Sequence, residues 1–222
     1  MKSYLFLFFA FTFLNKSMAQ HSLGVNLGCN YSNYNLPNTV GATGADADLY
    51  GNQTALLGYQ FGLKYQFLHN TNIFANVDFL FRRRATEIKD RYTIVNETYF
   101  DRYVSNGFYV PVTIGYKFTV KGFHIMPMVG CHFDYLNQGV RETWKNSLGP
   151  GLYLNKDFVY TYLNRLTMGL TAGLELAYKQ FFLNASYNHG LSSMSNDTSN
   201  PSIYNRFYSL NLGYKYSFSS EK

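Results

Sequence analysis

From Phe108 to Leu136 the chain reads FYVPVTIGYKFTVKGFHIMPMVGCHFDYL, and this stretch narrows the choice of folds more than any other. Val110, Val112, Ile114, Tyr116 and Phe118 alternate with Pro111, Thr113, Gly115 and Lys117. After Val120-Lys121-Gly122, where a tight turn is expected, Phe123, Ile125, Val129, Cys131, Phe133 and Tyr135 take one face. His124, Met126, Met128, Gly130, His132 and Asp134 take the other. A period of two means two strands with unlike faces. In a soluble sandwich or lipocalin-like barrel the apolar face turns to a core or ligand, and the outside carries charge on every strand. Here the charges share a face with Gly and Thr, and the opposite face is large and aromatic. Apolar outward to lipid and polar inward to a lumen is the pattern of a transmembrane β-barrel.

The same alternation recurs along the chain and predicts eight strands. Strand one is Leu23 to Tyr31, with Gly24, Asn26, Gly28 and Asn30 inward. Strand two, Ala55 to Phe67, turns Gly58, Gln60, Gly62, Lys64 and Gln66 inward. Strand three is Ile73 to Arg84, with Asn76, Asp78 and Arg82 inward. Strands four and five are the pair at Phe108–Leu136. Strand six is Leu166 to Tyr178, with Thr167, Gly169, Thr171, Gly173 and Glu175 inward. Strand seven is Phe181 to Gly190, and strand eight, ending at Phe218, turns Ser209, Asn211, Gly213, Lys215 and Ser217 inward. Short turns at Leu68–Asn72, Val120–Gly122 and Lys179-Gln180 alternate with long segments at 32–54, 83–107, 137–165 and 191–206. The charged segment 83–107 is expected to form in part a hairpin above the membrane. The segment 137–165 holds Trp144 and the turn-like Gly149-Pro150-Gly151. Long and short connections in strict alternation are what an up-and-down barrel inserted from one side requires, with short periplasmic turns and long external loops. The fold class expected is therefore all-β, an eight-stranded antiparallel up-and-down transmembrane barrel of the outer-membrane type.

The N-terminus fits export. Lys2 precedes an apolar run, Tyr4 to Leu14, that is too short to span a membrane, which takes about 20 residues. Ser17-Met18-Ala19 supplies the small residues of a cleavage site. Residues 1–19 are expected to be a cleaved signal peptide and 20–222 a single barrel domain. Aromatics make up 19% of the chain, with 21 Tyr and 20 Phe but one Trp, as strand preference and interfacial girdles both favour. The net charge of +6 is dispersed, without the basic clustering of a nucleic-acid binder.

Chemistry-bearing residues are few. His132 and Asp134 share a face two residues apart, but no third ligand or nucleophile accompanies them, so they are expected to be lumen hydrogen-bonding groups rather than a metal or base–orienter pair. Ser186 and His189 fall on opposite faces by parity, against a catalytic dyad. Arg82, Arg83 and Arg84 stand at the outer end of strand three. Arg82 should enter the lumen and Arg84 should join a solvated rim. For Arg83 both a rim role and lipid A phosphate binding remain open. The inward charges are Lys64, Asp78, Arg82, Lys117, His132, Asp134, Glu175 and Lys215. An unpaired charge in a narrow interior is costly, so these are expected to pair across the lumen and close it. No catalytic residue, cofactor or metal is expected.

Tyr109-Val110-Pro111-Val112 with Gly115-Tyr116-Lys117-Phe118, Met126-Pro127-Met128-Val129-Gly130, Gly169-Leu170-Thr171-Ala172-Gly173-Leu174, Tyr187-Asn188-His189-Gly190-Leu191 and Leu212-Gly213-Tyr214-Lys215-Tyr216-Ser217-Phe218 resemble successive strands of the Bacteroidota outer-membrane barrels called PorT-like. The resemblance covers nearly the whole chain after residue 19. The chain departs from many outer-membrane barrels in carrying Ser219 to Lys222 beyond the final aromatic. The resemblance implies an outer-membrane location. It also implies either a non-enzymatic envelope or binding protein or an accessory subunit of a secretion apparatus; some barrels of this size are instead lipid-modifying enzymes. Outer-membrane lipid, and envelope or secretion proteins, are the expected partners. Nucleic acid is not, and the barrel is expected to be monomeric.

Cys29 and Cys131 fall on strands one and five, on opposite sides of an eight-stranded wall, whereas a disulfide needs Cα atoms within about 7 Å. Mass spectrometry of the non-reduced, unfolded protein should therefore find two free thiols; a bridge would overturn the strand assignment.

Overall fold

The structure is a computed structural model that describes residues 20–35, 53–69, 71–94, 97–146, 152–158, 164–194 and 204–218. The expected signal peptide, the Gly149-Pro150-Gly151 turn and the residues after Phe218 lie outside these. Ten strand segments follow one another: β1 Gln20–Asn35, β2 Gln53–Leu68, β3 Ile73–Ile94, β4 Glu97–Tyr116, β5 Phe118–Val120, β6 Phe123–Asn146, β7 Leu152–Phe158, β8 Leu166–Tyr178, β9 Phe181–Gly190 and β10 Tyr204–Phe218. β5 resumes β4 after a break at Lys117, and both pair with β6. Among the described residues, β7 pairs with the far end of β6 and no other strand. Eight strands thus make the wall. Each is antiparallel to its neighbours, and β1 pairs with both β2 and β10, so the sheet closes on itself.

The register sets the shape. A path at right angles to the strands leaves Phe181 on β9 and runs through Tyr214, Val25, Leu63 and Phe79. It continues through Val110, Phe133 and Met168. It meets the chain again at Leu191, whose amide donates to the Met168 carbonyl at 2.9 Å. The return at 191 lies ten residues beyond the start at 181, so eight strands are combined with a shear of ten. With ~3.3 Å per residue and ~4.8 Å between strands, that stagger tilts the strands by ~40°, within the range of membrane barrels.

The faces follow parity as the sequence predicts. Leu23, Leu27, Leu57, Phe61, Phe79, Ile114, Val129, Leu170, Leu212 and their alternate neighbours are exposed on the outside. Among the described residues, no Lys, Arg, Asp or Glu interrupts this band between Arg83 and Arg206 at one end and Lys121 and Lys179 at the other. The short turns are tight. Lys121 and Gly122 both take positive φ (48° and 86°), the two-residue geometry that matches strand twist. Asn72 and Lys179 occupy the same left-handed region at 63° and 55°.

The long segments differ most from a loop reading. Residues 83–107 are almost wholly strand: β3 runs to Ile94 and β4 begins at Glu97, paired as far as Ile94↔Glu97 with an irregularity after Ile88. β6 likewise continues through 137–146 and pairs with β4 on one side and β7 on the other. Hydrogen bonding therefore extends the wall past the apolar band, and β3, β4, β6 and β7 form a sheet standing beyond it. Eleven residues of β3 beyond Arg83 correspond to ~36 Å of strand. Paired backbone resists proteases, which need an extended, unpaired substrate. Protease added to intact cells should leave bonds within 85–94 and 97–107 uncut in mass-mapped fragments; cleavage throughout that segment would contradict the paired hairpin.

Candidate functional site in the barrel lumen

The inward residues gather into two charged layers. The layer nearer the short turns is centred on Glu175 of β8, whose side chain is fully buried. Lys64 of β2 donates to one of its oxygens at 2.5 Å, and Lys215 of β10 donates to the other at 2.8 Å. Asp78 on β3, opposite Lys64 in register, lies 3.8 Å from the same ammonium. Lys215 also donates to the Gln66 side-chain oxygen at 2.9 Å. Two cations and two carboxylates balance, and the Phe182 ring lies beneath both ammonium groups, 4.8 Å from that of Lys64 and 5.7 Å from that of Lys215.

The second layer, nearer the long connections, is centred on Asp134 of β6. Arg82 donates to it, and Arg84 reaches the same oxygen at 2.9 Å. The Arg82 guanidinium packs into the corner of two nearly perpendicular rings, 4.1 Å from the centre of Tyr109 and 4.0 Å from that of Phe207, which are themselves 5.4 Å apart. A weakly hydrated planar cation suits such a corner better than an ammonium would. The Tyr109 hydroxyl donates to Asn188, Thr171 donates to the same Asn188 oxygen at 2.8 Å, and His132 shares a hydrogen bond with Thr171 at 3.0 Å. Gly169 makes this packing fit, since a Cβ there would stand 2.5 Å from the His132 ring. Between the layers lies a cavity of about 20 Å³, room for about one water.

Seven of the eight predicted inward charges lie in or against these layers. The eighth, Lys117, is half-buried at the short-turn rim, away from the carboxylates. Arg84 departs from the sequence reading, because parity turns it inward with Arg82 and its side chain is buried against Asp134 instead of joining a solvated rim. Arg83 is exposed on the outer wall. His132 and Asp134 have separate partners and do not form a base–orienter pair. Ser186 faces inward to Ser209 at 2.7 Å while His189 lies outside beside Tyr187, so these too stay apart. Among the described residues no three His, Cys, Asp or Glu side chains cluster as metal ligands would. The aromatic partners Tyr109, Phe182 and Phe207 and the inward Leu80 and Phe74 were missing from an inward list built on charge and small size, although parity alone assigns them to the lumen.

A closed eight-stranded wall with an unbroken apolar exterior and a polar filled interior defines an integral outer-membrane β-barrel. Residues 16–196 match the outer membrane protein beta-barrel domain, and the chain belongs to that family. Solved structures of similar path include Ail, the attachment invasion locus protein of Yersinia pestis, in complex with the heparin analogue sucrose octasulfate. It is 14% identical over 89% of this chain and 99% of that one, with a TM-score of 0.40. Neisserial surface protein A is 10% identical over 88% and 97%, with a TM-score of 0.39. The N-terminal barrel of Pseudomonas aeruginosa OprF is 10% identical over 87% and 97%, with a TM-score of 0.34. No curated protein matches the sequence.

Removing the Glu175 carboxylate leaves two buried ammonium groups facing one another. Breaking such a cluster from one side costs about 3–5 kcal/mol. Glu175→Ala should lower stability by about that amount in urea titrations of refolded protein, while the fourfold change Lys64→Met, Asp78→Asn, Glu175→Leu, Lys215→Met, which removes both cations and both carboxylates, should recover most of it. Equal losses in both variants would show that the cost does not come from stranded ammonium groups.

Proposed function

We propose that this is a non-enzymatic, monomeric outer-membrane protein whose lumen is closed and whose work is done by the sheet that rises beyond the membrane. The observation that carries the reading is the pairing of Lys64, Lys215, Arg82 and Arg84 with Glu175 and Asp134, with ring stacking around them and space for one water between. A charge network of this kind blocks diffusion, so function moves to what the barrel holds in place. The long connections then face outward from the cell, and the β3–β4–β6–β7 sheet presents a surface for envelope structure or for a binding partner. A second reading, an accessory place in a secretion apparatus, is supported by the PorT-like resemblance and by the length of that sheet, which suits contact with a larger assembly. Pull-down after mild cross-linking separates the two: recovery of stoichiometric secretion components favours the second.

Planar-bilayer recording on refolded protein tests closure directly. Near-silence in the native chain, with leak appearing in Glu175→Ala or Asp78→Ala, is expected. A stable open conductance in the unaltered protein would put transport in its place.

A further inference from the structure

The outer wall is not evenly covered. Across β8, β9, β10 and β1 it carries an apolar furrow of about 540 Å³. Ser186 and Ser209, a register pair whose side chains turn to the lumen, present their backbone at its floor. On one side stands a ridge of three outward tyrosines, Tyr31, Tyr208 and Tyr187, aligned in register across β1, β10 and β9. The rings of Tyr187 and Tyr208 are 5.0 Å apart. On the other side the wall falls away at Cys29 and Ala185, which are short where most of the band carries larger side chains, and the short Ala172 lies beside Tyr187.

The next outward pair beyond the ridge is Arg206 with His189, again in register. It lies two residues further along the strands, ~7 Å from the tyrosines. The His189 ring is held beside the Tyr187 hydroxyl at 3.4 Å. An arginine on the lipid face is tolerated near an interface and costly at mid-depth, so Arg206 marks headgroup level and the furrow lies in the hydrocarbon beneath it.

We propose that this wall is a binding site for lipid A: one acyl chain lies in the furrow, and a phosphate of the same molecule is held by Arg206 and His189. Three features argue for that occupant. The furrow is in the apolar band, where an unfilled hollow forfeits dispersion contacts that a methylene chain restores. A guanidinium fork binds phosphate by paired hydrogen bonds, and the ridge hydroxyls are further donors beside it. A second copy of the chain docked face to face about a two-fold axis would bring Arg206 against the other Arg206, which like charge disfavours. The site lies in the half nearer the long connections, so the assignment to the outer leaflet rests on the orientation proposed above.

Native mass spectrometry from detergent micelles tests it, with diphosphorylated lipid A, its dephosphorylated form and phosphatidylglycerol as probes. One tightly retained lipid A per barrel is expected. Arg206→Gln should weaken lipid A by ~tenfold or more, the scale of one lost charge-assisted contact, and leave the dephosphorylated form unchanged. Ala185→Phe should fill the furrow and weaken both forms. Val112→Phe on the β4 wall should change neither, and shifted mobility in unheated gels should show all three variants folded. Equal binding of phosphatidylglycerol, indifference to Arg206→Gln and Ala185→Phe, or a dimer that Ala185→Phe abolishes would each overturn the proposal. Orientation is read separately, by labelling Asn96→Cys on intact cells with an impermeant maleimide in a chain whose two native cysteines are alanine. Failure there would refute the outward placement while the phosphate preference in micelles stands or falls by itself.

Discussion

Inside a bilayer a backbone N–H or C=O finds no water, and each one left unpaired costs several kcal/mol. Pairing of β1 with β10 meets that demand, because it removes the only two edges the wall would otherwise expose. The remaining features follow from closure. An even strand number brings β1 and β10 together antiparallel. A shear of ten sets the tilt, and tilt with strand number sets the bore. Strands of 10 to 13 residues, such as β9 and β8, then cross an apolar layer of ordinary thickness.

A bore that narrow must be filled by side chains, and the way it is filled accounts for the unusual interior. Long cations reach across the lumen, and glycines at points such as Gly169 leave the room they need. Glu175 and Asp134 each accept from two cations contributed by other strands, so each layer ties together strands far apart in the chain. Rings take up what the carboxylates leave: Phe182 beneath the two lysines, and Tyr109 and Phe207 edge to face in a corner against Arg82. The lower layer sets two ammonium groups against two carboxylates, and in the upper one two guanidinium groups meet on Asp134. A binding site would have convergent groups around a hollow, whereas these groups converge on each other.

The same closure leaves the outside to be shaped by side-chain size alone. Where Tyr31, Tyr208 and Tyr187 stand next to Cys29 and Ala185 the wall is hollowed, and where Leu, Val and Phe alternate it is even. Beyond the apolar band, closure is no longer demanded by lipid. Among the described residues the strands continue furthest on one side there, with β8 and β9 stopping near the rim while β3, β4 and β6 carry on and β7 joins them. Among the described residues this end is lopsided, and the extended sheet is the reason for proposing that binding belongs to it.

Strand positions, faces and the alternation of connections were legible in the sequence, because a period of two and the placement of Gly, Lys and Asp are local properties. Lys64, Asp78 and Glu175 could be assigned to the lumen one strand at a time. Arg84 and Tyr109 follow the same parity, but Arg84 stood at the end of its expected strand, where a solvated rim was expected, and Tyr109 fell outside an inward list built on charge and small size. The strand nature of 83–107 was harder to read, since charged residues outside lipid need no apolar alternation and leave no periodic trace. Which carboxylate meets which cation was not legible at all. That pairing depends on the shear, which slides Glu175 of β8 to the level of Lys64 of β2, 111 residues away in the chain. The furrow is likewise a tertiary fact: Tyr31, Tyr187 and Tyr208 form a ridge only because closure brings the first strand beside the last, and no local pattern records that contact.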